Sequence, residues 1–175
     1  MTTDQQLARS RFLQTLKIVA REARHLAYSR SRLYQEPIDA VWVRVLENHP
    51  ELGERLEAFI SRFGRMQDTM AGKLLPRWLI TLAETPGSQL EVLNRAERLG
   101  VVTDAQHWLE ARNLRNRLVH EYMEDPEYFA QDPLLARDYS LILFDTNSRL
   151  RHYAFSRMDF SESELPDSVD PDASE

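Results

Sequence analysis

The segment Arg115-Asn116-Arg117-Leu118-Val119-His120-Glu121-Tyr122 brings a guanidinium, an amide, an imidazole and a phenol together at helical spacing. These groups are suited to cutting a phosphodiester without a metal. A base must take the proton of a ribose 2′-OH, and a cation must stabilise the charge that grows on the phosphorus oxygens. Imidazole can do the first. A guanidinium can do the second, because its planar fork grips two phosphate oxygens and it stays protonated.

Helical phase separates these groups. At about 100° per residue, Arg115 and His120 lie roughly 140° apart, whereas Asn116 and His120 are i,i+4 neighbours. Trp108, Ala111, Leu114, Leu118, Val119 and Tyr122 form an apolar arc with Arg115 inside it, and Asn113, Asn116 and His120 form a polar edge. A buried unpaired charge is costly. Arg115 therefore snorkels, stacks on Trp108 or pairs with a carboxylate of a neighbouring helix, or else the edge of the arc is a cleft or subunit interface that wants a guanidinium for phosphate. His120 has two readings as well, a cation favoured at a helix C-terminus or an acid–base group. Periodicity leaves both choices open. On either reading, a single helix does not make a compact Arg–His pair, so a catalytic site here needs a neighbouring helix or a second copy.

The elements that must hold this segment read as all-α, since glycines are few and strand-like alternation is nearly absent. The apolar spacing predicts a first helix from about Asp4 to Tyr34, whose other faces carry Arg9, Arg11, Lys17, Arg21, Arg24, Arg30 and Arg32. A short helix is expected over Ile38–Glu47 and a third from Glu51 to about Leu75, with Pro76 kinking it or opening a separate helix to Ala83. Ser88 caps a helix that Gly100 stops. Thr103-Asp104-Ala105-Gln106 reads as a capping box that starts the Arg115 helix, with Thr103 as N-cap. Asp132-Pro133 reads as the N-cap and N1 of a last long helix reaching Met158.

A chain of 175 residues with 42% apolar and 29% charged residues suits one domain with a sizeable core. Residues 159–175 carry seven acids and no Lys or Arg, a charge of −7. The net charge is −6, so residues 1–158 sum to +1. The body is near neutral, and overall acidity is no argument against a nucleic-acid partner. The expected division is a helical domain over residues 1–158 and a disordered acidic tail over 159–175. No apolar run approaches a membrane span and no secretory leader is evident, so no membrane is expected. The absence of cysteine fits a cytoplasmic setting. No metal or cofactor is expected: Gly72-Lys73 lacks the rest of a phosphate loop, and His25, His49, His107 and His152 show no ligand spacing.

Arg115-Asn116-Arg117-Leu118-Val119-His120 resembles the motif of the HEPN family, and the extension to Tyr122 resembles the Arg-x4-His-x-Tyr form of HepT-type toxins. The resemblance extends over roughly residues 5–158 at the level of fold and 112–122 at the level of motif. It implies an up-and-down bundle of about five to six helices and a metal-independent endoribonuclease toxin that uses Arg115 and His120. Asn116 would orient one of them or the RNA backbone, and Asp68 would support Arg115 from a neighbouring helix. It also implies a homodimer with motifs facing across the interface, an RNA substrate, and an MNT-type nucleotidyltransferase antitoxin that adenylylates Tyr122. The alternatives are a non-catalytic HEPN module that serves a nucleotidyltransferase as substrate or scaffold, and a plain helical interaction protein with a structural Arg115.

Overall fold

In a computed structural model, described for residues 1–120 and 125–173 and for all of their side chains except those of His120 and Pro126, the chain is helical throughout, with no strand among the described residues. Helix α1 spans Thr3–Leu33, α2 Ala40–Val45, α3 Pro50–Thr69, α4 Leu75–Thr81, α5 Gln89–Arg98, α6 Ala105–His120, α7 Pro126–Phe129 and α8 Gln131–Arg157. A π-helical turn, Met70–Leu74, joins α3 to α4, so Pro76 sits in the first turn after an irregularity rather than in a helix interior. This is an all-α bundle, as expected. No helix among the described residues is long and apolar enough to cross a membrane.

Two antiparallel pairs make up the frame. Along α1 and the α3–α4 rod, Arg62 donates to Ser29 at 2.7 Å, Thr69 to Glu22 at 2.9 Å and Arg77 to Thr15 at 2.5 Å. Along α6 and α8, Arg117 reaches Asp132, Tyr139 donates to Glu110 at 2.7 Å, and the Trp108 indole N–H donates to Thr146 at 3.2 Å. Between the pairs lies a core that includes Phe12, Leu16, Phe59, Phe63, Met66, Trp78, Leu114, Leu118 and Leu143. At about 1.5–3 kcal/mol per fully buried large apolar side chain, this burial is what holds the helices together.

Three local expectations are corrected. The N-cap of α6 is Asp104, whose Oδ1 accepts from the backbone N–H of Gln106 at 2.8 Å. Thr103 lies one residue outside the cap, since α6 starts at Ala105, and its hydroxyl donates to Asp145 of α8 at 3.0 Å. Asp132 does not cap α8, which begins a residue earlier at Gln131; it is buried in the first turn and held by Arg117. The tail is also not free. Residues 159–173 lie on the bundle, with Phe160 and Leu165 buried. Phe160 packs 5.9 Å from the Phe12 ring, with the Arg9 guanidinium 4.2 Å above it. Arg151 donates to the Pro166 carbonyl at 2.7 Å and to Glu162 at 2.5 Å, and Arg30 pairs with Asp172. Composition predicts disorder because it counts the acids. It does not register two apolar anchors spaced to reach the core, or the arginines that receive the acids.

Candidate functional site

Arg115 leaves α6 toward α3 and lies across Gly64, where a Cβ would come within 2.6 Å of its Nε. One turn further along α3, Asp68 Oδ2 stands 3.4 Å from Arg115 Nη2. Of the structural alternatives for Arg115, pairing with a neighbouring carboxylate is therefore the one observed. Trp108 is turned the other way, toward α8, and the cation–π contacts among the described residues involve other arginines. The Arg115 side chain is 32% exposed and that of Asp68 63%, so the pair is worth only about 0–1 kcal/mol. The guanidinium is positioned by the glycine groove more than it is locked by the carboxylate.

Around this contact is a cleft of about 390 Å³ lined by Ile60, Ser61, Arg65, Asp68, Thr69, Lys73, Arg115 and Val119. Arg65 comes from α3 and Lys73 from the π-turn, so three cations face one carboxylate. Such a wall attracts a phosphodiester and leaves a surplus of positive charge for the negative charge that develops on it. Behind the wall, Glu22 of α1 accepts from Thr69 and keeps its Oε2 buried without a partner. Burial raises its pKa, opposed by the Thr69 hydroxyl and by the positive charges of Arg65 and Lys73.

Val119 departs from the helical-phase expectation, since it belongs to the apolar arc and is nonetheless 50% exposed. Ala111, Leu114 and Leu118 fill the centre of the arc, while its Arg115–Val119 edge opens into the cleft. Asn116 is exposed and does not line the cleft. His120 is the last described residue of α6; its side chain lies outside the described residues, as does Tyr122 altogether. The structure therefore brings Arg115 and Asp68 together. Arg117, between the two motif residues, has a different role: it grips the buried Asp132 through Nε at 3.2 Å and Nη2 at 3.1 Å, tying α6 to the start of α8.

Sequence reasoning missed Gly64 and Arg65 as site residues, and weighed Lys73 only as part of an incomplete phosphate loop. The signal for Gly64 was present, because a glycine in a strongly amphipathic helix interior costs roughly 0.5–1 kcal/mol relative to alanine and asks for a close neighbour. Arg65 and Lys73 carried no such signal, since most cations on a helix are merely solvated. No protein-family model, curated protein or solved structure matches this chain.

Proposed function

We propose that this chain is a HEPN-type ribonuclease toxin that cuts RNA without a metal. The observation that carries the reading is the cleft in which Arg115, from the helix that also carries His120, lies over Gly64 beside Asp68, Arg65 and Lys73. Arg115 clamps the scissile phosphate and the charge that develops on it. His120 takes the proton of the 2′-OH, whose oxygen attacks phosphorus. The bond to the 5′-oxygen breaks, that oxygen takes a proton from water, and a 2′,3′-cyclic phosphate remains. The roughly 140° between Arg115 and His120 supports a homodimer in which the partner's motif completes the site. The half-exposed Val119 at the cleft edge supplies apolar surface for that contact. An MNT-type nucleotidyltransferase antitoxin would silence the site by adding AMP to Tyr122, and the compartment would be the cytoplasm.

The test is RNA cleavage in the presence of EDTA, comparing wild type with Arg115→Ala and His120→Ala. Wild type is expected to yield cyclic-phosphate ends, and each variant to lose on the order of 10²-fold or more in rate. A wild type that leaves RNA intact defeats the nuclease reading. The alternative is the non-catalytic module, in which Arg115 stays with its carboxylate partner Asp68. Under that alternative, incubation with the transferase and ATP adds AMP to Tyr122 while no RNA is cut.

A further inference from the structure

A second cleft, of about 520 Å³, lies between the end of α5 and the outer face of the C-terminal half of α8. Arg98, the last residue of α5, stands on one side, and Arg149, His152 and Arg157 stand on the other. Ser148 and Ser156 add hydroxyls, and no Asp or Glu lines the cleft. Asp145 balances Arg149 from beside the cleft, which leaves Arg98 and Arg157 as two like charges whose mutual repulsion an anion would relieve. Acids are not scarce in a chain of net charge −6. Yet among the described residues Arg98 and Arg157 make no ion pair, whereas Arg95, close to Arg98 on the same helix, is held by Glu84 at 2.7 Å.

Arg149 is fixed in advance. Its Nε donates to Asp145 at 2.8 Å and its Nη1 to the Gly100 carbonyl at 3.3 Å. Gly100 makes this possible, since it turns the chain out of α5 at φ 78°, a conformation that L side chains rarely adopt. Arg149 and Arg157 stand about 12 Å apart along α8 and roughly 80° apart around it, with Ser156 and His152 on the Arg149 side. That span exceeds one phosphate group and suits a run of them. Following α6 and α8 along their antiparallel contact, the cleft lies on the order of 25 Å from Arg115, toward the opposite end of the bundle.

We propose that this cleft is a second anion site, built for consecutive phosphate groups, with Arg98, Arg149 and Arg157 donating to phosphate oxygens. The proposal does not depend on the nuclease reading. Two sources share the chemistry, the backbone of a single strand and a free polyphosphate chain, and two probes separate them. A labelled single-stranded DNA dodecamer, which has no 2′-OH and is not consumed by 2′-OH attack, is titrated by fluorescence polarisation. Tripolyphosphate is titrated by calorimetry. Each probe is tested with the full chain as wild type, Arg98→Ala/Arg157→Ala, Arg98→Lys/Arg157→Lys and Arg115→Ala.

The alanine pair is expected to weaken at least one probe roughly tenfold or more, and the lysine pair to retain most of the affinity. Loss for the strand assigns a backbone site, and the slope of log affinity against log salt then falls by about 0.7 for each arginine removed. Loss for tripolyphosphate alone assigns a free polyphosphate. Because Arg98 and Arg157 are exposed, the alanine pair should melt as wild type does. Equal affinity of wild type and the alanine pair for both probes overturns the proposal, as does a wild type that binds neither. Arg115→Ala reports separately on the first cleft.

Discussion

The Arg115 side chain rests on the backbone of α3 at Gly64, with room for no side-chain atom between them: a Cβ there would stand 2.6 Å from Nε and 3.1 Å from Cζ. The contact is made by the end of a flexible side chain, so a substitution moves the guanidinium and leaves the helix in place. Gly64→Ala is expected to keep the fold, with a stability change within about 1 kcal/mol, because alanine's better helix propensity offsets the displaced contact. RNA cleavage should fall by about tenfold or more through misplacement of Arg115. Thermal melting and a cleavage assay on the same preparation separate the two effects, and undiminished cleavage would show that the Gly64 groove does not position Arg115 for chemistry.

Asp68→Asn tests the other constraint on Arg115. Both partners are largely solvated, so stability should change by less than about 1 kcal/mol in denaturant titrations. Cleavage should drop severalfold, well short of the loss in Arg115→Ala. A loss equal to that of Arg115→Ala would mean that Asp68 itself touches the reacting groups.

Arg117 and Asp132 give the structural contrast within the motif segment. Asp132 is buried and held through two donors of Arg117, so Arg117→Ala leaves a carboxylate with its main partner gone. Because Arg117 is itself 36% exposed, the expected loss is about 1–3 kcal/mol rather than that of a fully buried pair. Asn116→Ala, on the exposed edge, should cost less than about 0.5 kcal/mol. Urea midpoints for the two variants should differ clearly. Equal midpoints would remove Arg117 from its role as the tie between α6 and α8.

Glu22 makes stability depend on pH. Burial lifts its pKa above the ordinary 4.5, so the fold favours the protonated form. Its contribution is complete below the ordinary value and is lost as pH rises through the raised one. Glu22→Gln can keep the acceptor for Thr69 and has no charge to desolvate, so its melting temperature should exceed that of wild type by a margin that grows from pH 4.5 toward neutrality. A margin constant across that range would show that the Glu22 carboxyl does not titrate as its burial implies.

The acidic tail should behave as part of the fold. Phe160 packs on Phe12 and under Arg9, so Phe160→Ala is expected to lower stability by about 2–4 kcal/mol. Replacing Glu162, which is exposed beside Arg151, should cost less than about 1 kcal/mol, and less still at high salt. Amide exchange through residues 159–173 at the rate of a free peptide would contradict the packing.

The amino-acid sequence by itself determined what depends on near neighbours along the chain. Apolar spacing marked α1, α3, α5, α6 and α8, Ser88 marked a helix start, and Gly100 marked a helix stop, because caps and amphipathic stripes are decided within one or two turns. Helical phase also placed Arg115 and His120 on different sides of α6. Tertiary structure decided everything that needs a partner distant in sequence. Asp145 holds the Thr103 hydroxyl while Asp104 caps α6, and Arg117 turns Asp132 from a cap into a buried anchor. Phe12 and Arg151 draw a composition typical of disorder onto the bundle. Gly64 and Asp68 meet Arg115, and Arg65 and Lys73 share its cleft, only because α3 packs against α6. No local rule encodes such meetings, since their energy arises from groups that the chain brings together only on folding.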